Sequence, residues 1–131
     1  PEIAREFRVA PNRFVAALVQ DRVQAMTCVS LQHQVPHQVA ELGSAAADPT
    51  VAVFYTIWSY VAGAGAVLLF DTVAEIQHKH PTVTQFVTLS PKTTMAHRFH
   101  TRNGAQIFRT NLDTVNYEYT VSAPAPIALV A

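Results

Sequence analysis

The chain has 131 residues, of which 50% are hydrophobic and 14% charged, and nine basic residues balance nine acidic ones. That length suffices for one domain, spanning residues 1–131, and the apolar share excludes a disordered chain. No basic run is present, which argues against a nucleic-acid partner, whereas the near-zero net charge leaves a homo-oligomer open.

The first third of the chain is predicted to contain a hairpin and a short helix. Residues 13–20 and 23–33 are β-prone runs on either side of Gln20-Asp21-Arg22, which is typical of an antiparallel hairpin. The only cysteine, Cys28, lies in the second run, so disulfides are excluded and a buried strand residue is predicted. Residues 35–42 are predicted to form a short helix that ends at Gly43.

The middle of the chain predicts a parallel crossover. Residues 51–60 are almost entirely apolar, as expected of a central strand that is covered on both faces. After a small-residue turn, residues 67–78 have a helical apolar period, and residues 83–89 form another buried strand. A strand, helix and strand in this order normally make a right-handed parallel connection. The predicted core face of the helix consists of Val67, Phe70, Val73, Ala74 and Ile76.

The last third is predicted to contain a helix at residues 91–102 and strands at 106–111 and 115–121. The final strand alternates, with Tyr117 and Tyr119 on one face and Asn116 and Glu118 on the other. Residues 122–131 are an Ala/Pro-rich tail. The fold class is therefore α/β (α+β), with a mixed, mostly antiparallel sheet, one central parallel β-α-β crossover and helices on both faces.

Targeting and membrane signals are not visible in the sequence. No segment approaches the ~20 apolar residues of a membrane helix, and the first residues do not resemble a signal peptide. A cytoplasmic protein without a membrane partner is expected.

Two segments are candidates for binding and chemistry. The Gly63-Ala64-Gly65 turn before a helix would let backbone amides approach a phosphate, although the glycines could equally serve a tight turn. Ser90 follows a buried strand, where open α/β sheets bind ligands, and it could also cap the next helix with Pro91 in the first position.

The histidines offer a weaker case for a metal. His97 and His100 are three residues apart and could share a helical face, but no third ligand is visible, so no metal site is predicted.

Several blocks of the sequence together resemble malonyl-CoA decarboxylase, whose catalytic domain has the fold of the general N-acetyltransferase (GNAT) superfamily. The blocks, in the order found in that family, are Val51-Ala52-Val53-Phe54-Tyr55, the Gly63-x-Gly65 turn with its helix, His80-Pro81, Leu89-Ser90-Pro91, Arg98-Phe99-His100-Thr101-Arg102-Asn103-Gly104-Ala105 and Val115-Asn116-Tyr117-Glu118-Tyr119.

The resemblance implies an acyl-CoA-handling enzyme that decarboxylates a malonyl thioester. Coenzyme A thioester would be the substrate, with no tightly bound cofactor. Ser90 and His100 would act on the thioester, with Asn116 and Tyr117 as further candidates. The residues implied to hold the CoA pyrophosphate lie around the glycine turn and are Tyr60, Val61, Ala62, Gly63, Ala64, Gly65 and Ala66.

This sequence is shortened relative to that family. A long segment separates the serine and histidine blocks there, whereas nine residues separate them here, so one short helix must bring His100 to Ser90. Two other functions stay open. An N-acetyltransferase would use Glu118 or a water as base and Tyr117 or Tyr119 as acid. A catalytically silent domain would bind only CoA or a protein.

Overall fold

The computed structural model describes residues 12–43 and 47–121, so the predicted tail lies outside the described residues. Seven strands form one sheet. Their bounds are β1 Arg13–Gln20, β2 Arg22–Gln32, β3 Val51–Ser59, β4 Gln85–Thr88, β5 Ser90–Pro91, β6 Gln106–Thr110 and β7 Thr114–Tyr119. The order across the sheet is β1-β2-β3-β4-β7-β5, with β6 also paired to β7. Among these strands, β3 and β4 are the one parallel pair.

The predicted hairpin, central strand and parallel crossover are confirmed. Asp21 turns between β1 and β2 with a positive φ of 61°. β3 lies inside the sheet, and its first five residues are buried. Helix α1, Ala64–Lys79, connects β3 to the parallel strand β4.

The helix predicted at residues 35–42 is wrong in extent and type, because only a 3-10 helix at Val39–Gly43 forms. The backbone before it is drawn into tertiary hydrogen bonds instead of helical ones. Carbonyls of Val35, Pro36 and His37 accept from side chains of Arg109, Asn116 and Thr114 respectively.

The predicted core face of α1 is partly wrong. Val67, Phe70 and Ala74 are exposed, and the buried side is formed by other residues around Val73 and Ile76. Residues 67–70 are all apolar, so they fit a buried face that includes Val67 and Phe70 as well as one that includes Leu68 and Leu69. The helical periodicity of apolar residues therefore does not identify the buried face on its own. The buried residues are Ala64, Gly65, Leu68, Leu69, Thr72, Val73 and Ile76.

Helical segments cover both faces of the sheet. On one face α1 packs on Phe54 and Phe86 in the larger apolar cluster. Helix α2, Thr94–Arg102, lies on the same side, because Tyr119 contacts both Phe70 of α1 and His100 of α2. On the opposite face Leu42 of the 3-10 helix joins a second buried cluster. None of the described helices has the length and apolarity needed to cross a bilayer.

Candidate functional site

A cavity of about 300 Å³ opens at the point where β3 and β4 stop pairing and separate. The parallel register ends at the Phe54–Thr88 pair, but β3 continues to Ser59. After Thr88 the other strand is interrupted at Leu89, and β5 then pairs with β7 rather than with β3. The lining residues are Phe54, Tyr55, Thr56, Ile57, Ser59, Leu89, Ser90, Pro91, Thr93, Met95, Ala96, Phe99 and His100.

Ser90 belongs to the sheet and does not cap α2. It pairs with Val115 of β7, and the residue is 5% exposed. The N-cap of α2 is Thr93, whose hydroxyl oxygen accepts from the backbone N–H of Ala96. The predicted capping alternative for Ser90 is therefore wrong, since the strand extends through Pro91 and the helix begins three residues later than predicted.

His100 is the buried residue of α2. The residues that follow it close the helix. Gly104 adopts a positive φ of 97°, and the N–H of Ala105 then donates to the His100 carbonyl at 3.0 Å. The Asn103 side chain donates to the Phe99 carbonyl at 2.7 Å. The Asn-Gly-Ala part of the motif thus terminates the helix two residues after His100 and fixes the backbone of its last turn.

Three aromatic rings fix the orientation of the His100 imidazole. The Tyr117 ring stacks on it at 5.0 Å between centroids and 28° between planes. Phe99 and Tyr119 meet it edge to face. The Tyr119 hydroxyl oxygen also lies 2.7 Å from Nδ1 of His100. The imidazole is therefore held both by packing and by one short hydrogen bond.

The structure brings Ser90 and His100 together, with 3.3 Å between Ser90 Oγ and His100 Nε2. The Ser90 hydroxyl donates to Thr88 Oγ1 at 2.7 Å, and the backbone N–H of Tyr117 donates to the same oxygen at 3.1 Å. Thr88 is fully buried. A continuous hydrogen-bonded row thus runs from Tyr119 through His100 and Ser90 to Thr88.

Burial determines the charge state of this row. It lowers the pKa of His100 from 6.5 to about 4 and raises the pKa values of Tyr117 and Tyr119. At neutral pH the imidazole is uncharged and both phenols keep their protons. The described residues that line the cavity include no Asp, Glu, Lys or Arg, so the cavity is electrically neutral.

The two glycines at the start of α1, Gly63 just before the helix and Gly65 in its first turn, meet different structural demands. Gly63 is the N-cap and has a positive φ of 83°, with open space where a Cβ would lie. A Cβ on Gly65 would lie 3.1 Å from Cβ of Ser59 and 3.3 Å from the Phe99 ring. Because Ser59 and Phe99 also line the cavity, the turn adjoins it directly.

The residues predicted to hold CoA differ in exposure. Tyr60, Val61, Ala62 and Gly63 are exposed. In contrast, the N–H of Gly65 donates to Ser59 Oγ at 3.0 Å, so that amide is used within the protein. Ala64 is buried like Gly65, and Ala66 is half-buried.

Asn116 is not brought to the cavity. Its amide nitrogen donates to the carbonyls of Pro36 and Thr88, and its oxygen accepts from Arg109 and Asn111. All of its hydrogen-bonding capacity is used, and the residue is fully buried on the face of β7 opposite to Tyr117, although its partners Arg109 and Asn111 are half-buried. Its link to the site runs through the Thr88 backbone.

Two residues of the site were not singled out from the sequence as partners of Ser90 and His100. Tyr119 shares a face with Tyr117 in the alternating β7, which is a usable signal. Thr88 carries no signal, because nothing distinguishes it from other strand threonines.

Solved structures with the same fold include a malonyl-CoA decarboxylase from Agrobacterium vitis. It superimposes with a TM-score of 0.78 at 20% identity, over 90% of this chain and 53% of that chain. The chain thus spans about half the length of that decarboxylase. No protein-family model and no curated protein sequence matches the chain.

N-acetyltransferases share the fold as well. The GNAT domain of S. lividans PAT gives a TM-score of 0.61 at 14% identity, over 90% of this chain and 64% of that one. PaiA N-acetyltransferase from Thermoplasma acidophilum, solved in complex with coenzyme A, gives 0.61 at 11% identity, over 84% of this chain and 62% of that one. The predicted GNAT-like fold is confirmed.

Proposed function

We propose that this domain is an acyl-CoA-dependent enzyme that decarboxylates a malonyl thioester. The observation that carries the proposal is the contact between Ser90 and His100 beside a cavity at the point where β3 and β4 separate. The similarity in fold to a malonyl-CoA decarboxylase and to a protein solved with coenzyme A supports it.

The CoA part of the substrate would lie along the turn before α1. The exposed residues 61–63 and the N-terminus of α1 suit a pyrophosphate, because peptide N–H groups and the helix dipole both favour an anion there. The Tyr60 N–H does not contribute, since it donates to the Gln24 carbonyl at 2.8 Å. Gly63 lets the backbone take the left-handed conformation that begins the helix. From this turn, the pantetheine arm would reach the cavity past Ser59.

Decarboxylation breaks the bond between the free carboxyl carbon and C2 of the malonyl group. Carbon dioxide leaves, the electron pair moves into the thioester as an enolate, and C2 then takes a proton to give acetyl-CoA. The barrier falls if a hydrogen-bond donor meets the thioester oxygen as negative charge develops on it. We assign that role to the His100 imidazole N–H and the orientation of the carboxylate to the Ser90 hydroxyl.

The pKa of His100 decides how it acts. At about 4, almost no imidazolium exists at neutral pH, so His100 serves as a neutral hydrogen-bond donor rather than as a cationic acid. A proton for C2 then comes from water entering the cavity. The neutral, mostly apolar lining also favours loss of charge from the carboxylate as it becomes carbon dioxide.

The other two candidate residues, Tyr117 and Asn116, would not contact the substrate themselves and would act through His100 and Thr88. Tyr117 would hold the imidazole plane by stacking, and Asn116 would hold the Thr88 backbone. Both are positioning residues in this proposal.

An N-acetyltransferase is the second candidate, favoured by the fold shared with PaiA N-acetyltransferase. Its predicted base, Glu118, accepts a hydrogen bond from Gln85 and lies on the opposite face of β7 from Tyr117 and Tyr119. That position gives it no access to the cavity, so a water would have to serve as base.

Mass spectrometry of the CoA products separates these functions. The protein is incubated with malonyl-CoA, and separately with acetyl-CoA and a mixture of amines. We expect acetyl-CoA to form from malonyl-CoA, with much slower formation by S90A. Acetylation of an amine without decarboxylation supports the acetyltransferase, and no reaction with either supports a silent domain.

A further inference from the structure

We propose that Tyr119 is a positioning residue that keeps the proton of neutral His100 on Nε2. The site then presents a hydrogen-bond donor to the substrate and does not activate Ser90 as a nucleophile. The functional part of this inference rests on the proposed function, whereas the tautomer itself is a property of the free protein.

The two distances to the imidazole indicate the direction of the hydrogen bonds. Hydroxyl donors typically lie about 2.7–2.8 Å from their acceptors, and N–H donors about 2.9–3.0 Å. The 2.7 Å between Tyr119 and Nδ1 fits an O–H donor, whereas the 3.3 Å between Nε2 and Ser90 is too long for one and fits a weak N–H donor. Tyr119 therefore donates to Nδ1, and the proton of the ring lies on Nε2.

The chemistry of the partners agrees with this direction. A phenol is a good donor and a poor acceptor, because its oxygen lone pair is shared with the ring, and an imidazole nitrogen is a good acceptor. The opposite tautomer would direct Nδ1–H at the phenol oxygen. It would also leave the Tyr119 proton without a partner among the described residues, although Tyr119 is buried.

The Ser90 end of the row is consistent with the same tautomer. In the free protein the Ser90 hydroxyl donates to Thr88 Oγ1, which leaves the Ser90 oxygen free to accept a weak bond from Nε2–H. The substrate would replace both bonds, with its thioester oxygen accepting from Nε2–H and its carboxylate from the Ser90 hydroxyl. In this state Nε2 has no lone pair with which to take the Ser90 proton. A serine nucleophile needs such a base, so the arrangement disfavours an acyl-enzyme on Ser90.

The direct test is the tautomer of His100 in the free, wild-type protein. Two-bond ¹H–¹⁵N correlation spectra at pH 7 distinguish a protonated ring nitrogen from one with a lone pair. We expect Nε2 to be protonated and Nδ1 not. A protonated Nδ1, or an imidazolium at this pH, overturns the proposal without the use of any variant.

Two matched variants test the assignment to Tyr119. In Y119F the donor to Nδ1 is removed, and we expect a mixture of the two tautomers. In Y117F the stacked ring stays and a hydroxyl that contacts His97 rather than His100 is removed, so the tautomer should not change. An unchanged tautomer in Y119F contradicts the proposal. Backbone amide spectra verify that both variants are folded.

The functional consequence has its own readout. In Y119F, kcat for malonyl-CoA should fall about 10- to 100-fold with little change in KM, because the imidazole loses its orienting hydrogen bond as well as its fixed tautomer; outer-shell partners of metal-ligating histidines have effects of this size. The wild type should resist labelling of Ser90 by an organophosphate, which reports a nucleophilic serine; rapid labelling overturns the proposal. If the tautomer is as expected and malonyl-CoA is not turned over, the proposed function fails and the role of Tyr119 stands.

Discussion

Ser90 Oγ lies 3.3 Å from Nε2 of His100, and the two residues reach this point from different elements. Ser90 is placed by pairing of β5 with β7 after the strand is interrupted at Leu89. His100 is placed by the last turn of α2, which Gly104 and Ala105 close. One nine-residue helix therefore suffices to join the serine and histidine blocks, as the shortened sequence requires.

The buried histidine predicts a pH dependence of stability. The pKa of His100 is about 4 in the folded protein against 6.5 for an unperturbed histidine, so the unfolded state binds more protons between these values. Stability from this group is complete above pH 6.5 and is lost as the pH falls towards 4, by about 3 kcal/mol at most. Urea unfolding at pH 7 and pH 4 measures this loss. H100Q lacks the titrating group and should lose correspondingly less; an equal loss in both proteins contradicts the assignment.

Removal of the buried Thr88 hydroxyl should lower the stability of the protein, because two donors depend on it. T88V removes the acceptor of both the Ser90 hydroxyl and the Tyr117 N–H, so two buried donors lose their partner. We expect a loss of about 1–3 kcal/mol in the free energy of unfolding. The matched control is T72V, since the Thr72 hydroxyl donates only to a carbonyl of its own helix and its loss should cost less. An equal loss of stability in the two variants would contradict the claim that the Thr88 hydroxyl satisfies two buried donors.

The two glycines near the start of α1 should respond differently to alanine. In G65A the new methyl group meets Cβ of Ser59 at 3.1 Å and the Phe99 ring at 3.3 Å, so Ser59 of β3 and the Phe99 ring of α2 must give by a few tenths of an ångström. We expect a loss of about 1–3 kcal/mol, as is usual for overpacking. G63A has open space but a left-handed backbone, which costs about 1–2 kcal/mol. Thermal unfolding gives both values, and amide spectra should show shifts in α2 for G65A alone.

Asn116 predicts a large effect on stability without a contact to substrate. N116D replaces two donors by an acceptor that faces the carbonyls of Pro36 and Thr88, in a fully buried site. We expect a loss of at least about 3 kcal/mol in the free energy of unfolding at neutral pH. The new carboxylate would be buried, and its one contact with a cation, Arg109, would not compensate for the loss of its hydration. Urea unfolding tests this value. N103D, at the half-buried end of α2, changes the same residue type but loses one hydrogen bond to a carbonyl instead of two, so a smaller cost is expected. A similar cost for both variants contradicts the assignment of the larger cost to the buried site of Asn116.

The regular parts of the fold were predictable because their signals are local. The hairpin follows from two β-prone runs around Asp21, and the crossover follows from two buried strands around one helix. The alternation of β7 placed Tyr117 and Tyr119 on one face, which is the face that meets His100.

Other features depend on tertiary contacts that no local pattern encodes. Ser90 and Thr93 are both good capping residues, and only the pairing of Ser90 with Val115 assigns the cap to Thr93. The N–H of Leu89 still donates to the Phe54 carbonyl, as the parallel register requires, and the pairing of β3 with β4 ends after this bond. The resemblance selected His100 over His97, and burial of His100 alone in α2 agrees with that choice.

The central claim is that Ser90 and His100 act on a malonyl thioester, and malonyl-CoA labelled with ¹³C in its free carboxyl group tests it most directly. We expect the wild type and H97Q, which changes the neighbouring exposed histidine of α2, to release the label as carbon dioxide in step with acetyl-CoA. H100Q should release it at least about 100-fold more slowly, as for the loss of one donor to a developing oxyanion. Retention of the label by the wild type, or equal rates for the wild type and H100Q, would contradict the account.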